Sequence, residues 1–172
     1  MPPVIPVIPQ TTNHIQQSLA AVWQNHIREY QKPGNIFEEE RKMGEVIVVT
    51  SGKGGVGKTT TCVNLAASLA AMQKKILVVD CDPQGNATMA SGVLKFGLEK
   101  SITNVLVDGL DIKEAVVTTT EGGFHLIPSN EDLTAAEVSL LDKFGRESFL
   151  KKSLDKIKDN YDFVLIDCPP SL

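Results

Sequence analysis

The sequence has 172 residues, enough for about one domain with a real core. Its 42% apolar and 22% charged residues are ordinary for a globular chain, and a net charge of −4 leaves no electrostatic footprint for nucleic acid over the chain as a whole. No apolar run approaches the ~20 residues of a membrane span, and no signal-peptide pattern is present. The three cysteines (62, 81 and 168) lie in or beside apolar elements without a C-x-x-C pair, and read as reduced core residues of a cytosolic protein.

Residues 1–44 differ in composition from the rest and are expected to form an N-terminal extension. Five of the nine prolines fall within the first 33 residues, so Met1 to Pro9 should be extended or disordered. From about Thr12 to Tyr30 the spacing of Ile15, Leu19, Val22, Ile27 and Tyr30 predicts an amphipathic helix, most simply packed on the protein's own flank. Pro33-Gly34 breaks the chain, and Asn35-x-x-Glu38 resembles a capping box for a short acidic helix.

Val46-Ile-Val-Val-Thr50 opens residues 45–172. Four β-branched residues in a row suit a strand buried on both faces. Glycines follow at 52, 54, 55 and 57, then Lys58-Thr59-Thr60. After them Cys62, Leu65, Ala66, Leu69 and Met72 recur at helical spacing. Strand, glycine loop and helix form the context in which G-x-x-x-x-G-K-[ST] becomes a phosphate site. Backbone N–H groups of Gly54, Gly55, Val56 and Gly57 would form an anion nest over the positive end of the helix. Lys58 would reach the β/γ phosphates of a polyphosphate nucleotide, and the Thr59 hydroxyl would bind Mg2+. The same letters fit a dinucleotide fingerprint, Gly52-x-Gly54-x-x-Gly57 with Asp80 as the ribose acid. That reading gives no reason for a buried lysine at the helix start, nor for a second carboxylate at Asp82.

The next strand, Ile76-Leu-Val-Val-Asp80, delivers Asp80 and Asp82 to its C-terminal end, the ligand side of an open parallel sheet. Two acids facing a triphosphate loop favour Mg2+ and water handling over a simple Asp-Pro turn. The stretch 83–100, with Gln84-Gly-Asn86, has the composition of a mobile switch segment. Short helices are predicted at 101–107 and 111–117, a strand at Phe124–Ile127, and helices near 131–142 and 147–159. His125 is expected to have a packing or surface role. Tyr161-Asp-Phe-Val-Leu-Ile-Asp167 is an apolar strand ending in an acid, the pattern of a Walker-B strand. Alternating strands and helices predict a doubly wound α/β fold with a parallel sheet.

Lys53-Gly-Gly-Val-Gly-Lys-Thr-Thr60 resembles the deviant Walker A motif, which carries an additional early lysine. Val79-Asp-Cys-Asp-Pro-Gln-Gly-Asn-Ala-Thr88, Leu126-Ile-Pro-Ser-Asn130 and Tyr161 through Leu172 resemble further motifs of ParA/Soj-type partitioning ATPases of the MinD/ParA superfamily. Thr50-Ser51 is more similar to the division regulator MinD. The resemblance covers 45–172 and implies a P-loop NTPase fold. It implies an ATP- and Mg2+-dependent homodimer that associates with non-specific DNA in the full-length protein, in chromosome or plasmid partitioning. A ParB-like stimulating partner and a cytoplasmic, nucleoid-associated location are implied too, with no membrane among the partners. At the residues, it implies that Lys53 reaches the phosphates of the opposite subunit and Asp82 orients the attacking water. Thr59 would bind Mg2+ directly, and Asp80 and Asp167 through waters. The alternatives are a MinD-like, membrane-cycling regulator and an inactive truncated fragment. The resemblance also implies later strands, an adenine-contacting segment and a basic DNA-binding surface beyond Leu172. In related folds strand 46–50 is central, between the Walker-B strand and those later strands; within 172 residues it is expected at an exposed edge.

Overall fold

The computed structural model describes residues 44–120, 122–140, 143–145 and 148–170, all within one compact unit, Arg41–Leu172. The proline-rich start, the helix expected at 12–30 and the capping box at 35–38 lie outside the described residues.

Five strands form one sheet in the order β1-β5-β2-β4-β3. They are β1 (Glu45–Val49), β2 (Ile76–Asp80), β3 (Val117–Thr118), β4 (His125–Ile127) and β5 (Phe163–Asp167). β1, β5, β2 and β4 run parallel, in the register Val49↔Asp167 and Asp80↔Asp167. This register sets the ends of β1, β2 and β5 level with one another, which positions the site. β3 is antiparallel to β4 and departs from the all-parallel expectation.

Helix α1 (Lys58–Ala71) covers one face of the sheet. Buried Cys62 and Ala66 pack on Ile76, Val78, Leu126 and Leu165. The other face buries Leu77, Val79, Val164 and Ile166 beneath residues of the short turns at 102–115, α3 (Asp132–Leu140) and α4 (Phe149–Leu154). β2 and β5, covered on both sides, are the continuous apolar runs that central parallel strands require.

Three expectations are corrected. β1 is not buried on both faces. Among the described residues it is the edge strand that the resemblance implies for these residues: Ile47 and Val49 pack toward α1, whereas Val46 and Val48 are 41% and 53% exposed on the uncovered face. The helix expected at 111–117 is a single 3-10 turn at Ile112–Ala115, started by Asp111 accepting from the Lys113 N–H (3.0 Å). The β-branched run Val116-Val-Thr-Thr119 then leaves the helix for β3. The helix expected over 147–159 stops at Leu154, and a separate 3-10 turn spans Lys158–Asn160. Ile157 between them takes φ −133° and is buried in the core.

Candidate phosphate and metal site

The loop between β1 and α1 closes on itself. Lys58 Nζ donates to the Lys53 carbonyl (3.3 Å), and the Lys53 N–H donates to Ser51 Oγ (3.3 Å). Gly57 stands at the helix N-cap with φ 92°, a left-handed conformation that only glycine adopts without strain. It offers no capping side chain, and the first turn of α1 contains no acid. The helix therefore begins with N–H groups that have no side-chain acceptor and with no negative charge to repel an anion. This is the physical condition for phosphate binding.

A cavity of about 510 Å³ lies against this loop. Gly54, Gly55, Gly57, Lys58, Thr59 and Thr60 line it from one side, and Asp82, Gln84, Asn86 and Pro170 from the other. Val56 and Lys53 are exposed and do not line it. The structure thus brings Asp82 to the loop, while Lys53 faces outward.

Asp167, at the end of β5, is fully buried. The Thr59 hydroxyl donates to its Oδ2 (2.7 Å), and its Oδ1 is buried without a partner. A buried carboxylate oxygen with no donor costs free energy unless something supplies a positive charge or a hydrogen bond. Burial raises the Asp167 pKa, the Thr59 bond opposes this, the Asp82 charge raises it further and Lys58 lowers it. A hydroxyl paired with a carboxylate that keeps a free oxygen is a hard-oxygen set suited to Mg2+. The residues present therefore fit the metal, with Thr59 and Asp167 as the groups that would hold it and its waters.

Asp80 is placed differently. Its Oδ2 accepts from the Thr88 N–H (2.8 Å) and Thr88 hydroxyl (2.7 Å), and its Oδ1 from the Asp82 N–H (3.0 Å). Both Asp80 oxygens are engaged by protein donors, whereas Asp167, which like Asp80 does not line the cavity, keeps one oxygen free. Thr88 Oγ1 in turn accepts from the Ser129 N–H (2.9 Å). Asp80 therefore ties the segment after β2 to the end of β4. Burial pushes its pKa up from 3.8 to about 6, opposed by the bonds from Thr88 and Asp82, with Asp167 adding to the rise.

The segment after β2 is ordered by local bonds, not by composition. Asp82 Oδ1 accepts from the Gln84 N–H (2.9 Å), and helix α2 (Asn86–Ala90) follows. Gly85 takes φ 62°, and a Cβ there would lie 2.7 Å from the Ser129 carbonyl oxygen. The stretch expected as a mobile switch thus begins with a turn, a one-turn helix and the Thr88 anchor. Thr88, Gln84, Asn86 and Pro170 were not singled out as site residues in the sequence. Thr88 has no local signal, because its partner lies eight positions away on another element.

Strand, glycine loop, helix and two level strand-end acids define the P-loop NTPase class. A protein-family profile described as an AAA domain matches residues 44–172. Sporulation initiation inhibitor protein Soj of Bacillus subtilis is 47% identical over 130 residues, 76% of this chain and 49% of that protein. Chromosome-partitioning ATPase Soj of Treponema pallidum is 48% identical over 132 residues, covering 76% and 50% respectively. Among solved structures, cobyrinic acid a,c-diamide synthase of Mycobacterium smegmatis, with bound ATP analogue and magnesium, superposes with a TM-score of 0.72. It is 41% identical, covering 74% of this chain and 52% of that one. The chain belongs to this AAA-domain family, as a ParA/Soj-type member of the MinD/ParA superfamily. It spans about half the length of the relatives it matches. Among the described residues no helix is long and apolar enough to cross a membrane.

Proposed function

We propose that this chain supplies the phosphate and metal half of an ATP-hydrolysing dimerisation switch of the ParA type. The switch acts in chromosome or plasmid partitioning through ATP-dependent association with DNA. One observation carries the reading: Lys58, Thr59 and Asp82 line a single cavity, and Thr59 is bonded to the buried Asp167, which has one carboxylate oxygen to spare.

The chain's own residues divide the work. The loop N–H groups and Lys58 bind and orient the β and γ phosphates, where fixed positive dipoles oppose the charge of the transferring group. Mg2+, when bound with the nucleotide, neutralises phosphate charge as a Lewis acid. Asp82 is 8% exposed and faces the loop across the cavity, placed to orient a water toward the γ phosphate. Lys53 is exposed and does not line its own cavity, and it would act as a cation donated to a second subunit. The full-length protein is then a homodimer when ATP-bound, stimulated by a ParB-like partner and located with the nucleoid in the cytoplasm.

The test is phosphate release alongside light scattering on the full-length protein, with and without ATP. The expected result is an ATP-dependent doubling of mass and Mg2+-dependent release. A monomer at saturating ATP that nonetheless hydrolyses it would contradict the switch.

A further inference from the structure

A second cavity of about 510 Å³ lies at the opposite end of the sheet. It is built where the chain enters three adjacent parallel strands: Lys74 and Lys75 before β2, Phe124 and His125 at the start of β4, and Asn160 and Tyr161 before β5. Five-residue strands separate it from the phosphate loop by about 17 Å. Its lining contains two lysines and a histidine but no acid. Neither lysine ammonium is paired with a carboxylate among the described residues. The nearby Asp162 carboxylate accepts from the Lys75 backbone N–H (2.9 Å).

His125 and Tyr161 of the lining are tied to each other. His125 Nδ1 lies 2.8 Å from the Tyr161 hydroxyl, with the two rings edge to face at 5.6 Å between centroids. Tyr161 and Phe124 are buried in the core. The His125–Tyr161 contact engages Nδ1, and Nε2 has no hydrogen-bond partner among the described residues. Burial raises the Tyr161 pKa further above neutrality. The cavity is therefore lined by two lysines, a histidine and Asn160, beside the aromatic rings of Phe124 and Tyr161.

We propose that this cavity is a second anion site, taking a phosphate group between Lys74, Lys75 and His125 at the end of the sheet remote from the nucleotide loop. Two ammonium groups and an imidazole match the charge and acceptor-only chemistry of a phosphate, whether free or in a nucleic-acid backbone. The inference does not rest on the proposed ATPase function.

The experiment is an NMR titration of the histidine ring nitrogens in the full chain. A non-hydrolysable ATP analogue with Mg2+ is held at saturation, so that added phosphate cannot report on the loop. Inorganic phosphate should shift the His125 resonances saturably. Lys74→Gln with Lys75→Gln should weaken that binding at least tenfold while the affinity for the analogue is unchanged. Adding a short DNA duplex identifies the source. Displacement of phosphate assigns the site to a nucleic-acid backbone, and its absence assigns it to the free anion. His125 resonances that stay fixed to high phosphate in the parent protein would overturn the proposal whether or not the double variant folds. A double variant that titrates as the parent would overturn it as well. Failure of the parent protein to bind the analogue would instead count against the nucleotide reading.

Discussion

Asp167 and Asp80 end neighbouring strands in register, yet their surroundings give them different work. Asp167 keeps a buried oxygen free, whereas Asp80 has both oxygens filled by donors. The difference predicts a pH signature. Asp80 has a folded pKa of about 6 against 3.8 unfolded. Between those values the folded state holds a proton that the unfolded state lacks, so stability falls as pH rises through this window. The effect is on the order of 3 kcal/mol, and urea unfolding in EDTA without nucleotide, from pH 4 to 7, should show it. Asp80→Asn should flatten that profile. It should also lower stability at pH 7, where the carboxylate is ionised, by about 1–3 kcal/mol, because the amide NH2 would face one of three donors. Lys53 and Asp82 separate in kind. In the full-length protein Lys53→Ala should lower both dimerisation and turnover. Asp82→Ala should preserve ATP-dependent dimerisation but cut hydrolysis by roughly 10²-fold or more, the scale of a lost general base. Hydrolysis at the parent rate in Asp82→Ala would remove it from water handling.

At the scale of elements, the turn from β2 into α2 depends on one backbone position. Gly85 combines φ 62° with a carbonyl contact that a Cβ would violate. Gly85→Ala should cost about 1–3 kcal/mol, from left-handed strain and overpacking together. Denaturant melts should show a lowered midpoint with an unchanged slope. What was legible in the sequence follows the range of the interactions involved. The loop, α1 and the acids at 80, 82 and 167 were readable, because glycine conformation, helix periodicity and strand-end charge are local properties. The 111–117 helix was misread although the β-branched run from Val116 was visible, its strand preference stronger than the helix start at Asp111. The exposure of β1 was not readable from its own residues. Val46-Ile-Val-Val49 has the composition of a central strand, and only its neighbours decide whether both faces are covered. Asp80's tie to Thr88 and Ser129 joins three elements and has no sequence period.

For the whole molecule, the edge position of β1 has a consequence in solution. It is apolar within Val46–Val49, Val46 and Val48 are exposed, and Val46 borders a groove of about 350 Å³ lined by Leu150, Leu154 and Ile166 together with Lys151, Asp155 and Lys158. An unpaired row of N–H and C=O groups with such side chains templates pairing with another chain. Residues 1–172 alone should self-associate with rising concentration, without nucleotide. Sedimentation velocity over a concentration series checks this, and a monomer throughout with a sharp cooperative melt would contradict it.

The central claim is that the nucleotide is held by its phosphates and its metal, through the loop, Lys58, Thr59 and Asp167. Calorimetric titration of the 172-residue chain with ATP and with GTP, each with Mg2+ and with EDTA, tests this most directly. The account predicts weak binding that needs Mg2+, discriminates poorly between the two bases, and is lost in Thr59→Ala. Tight, ATP-selective binding that persists in EDTA would contradict it.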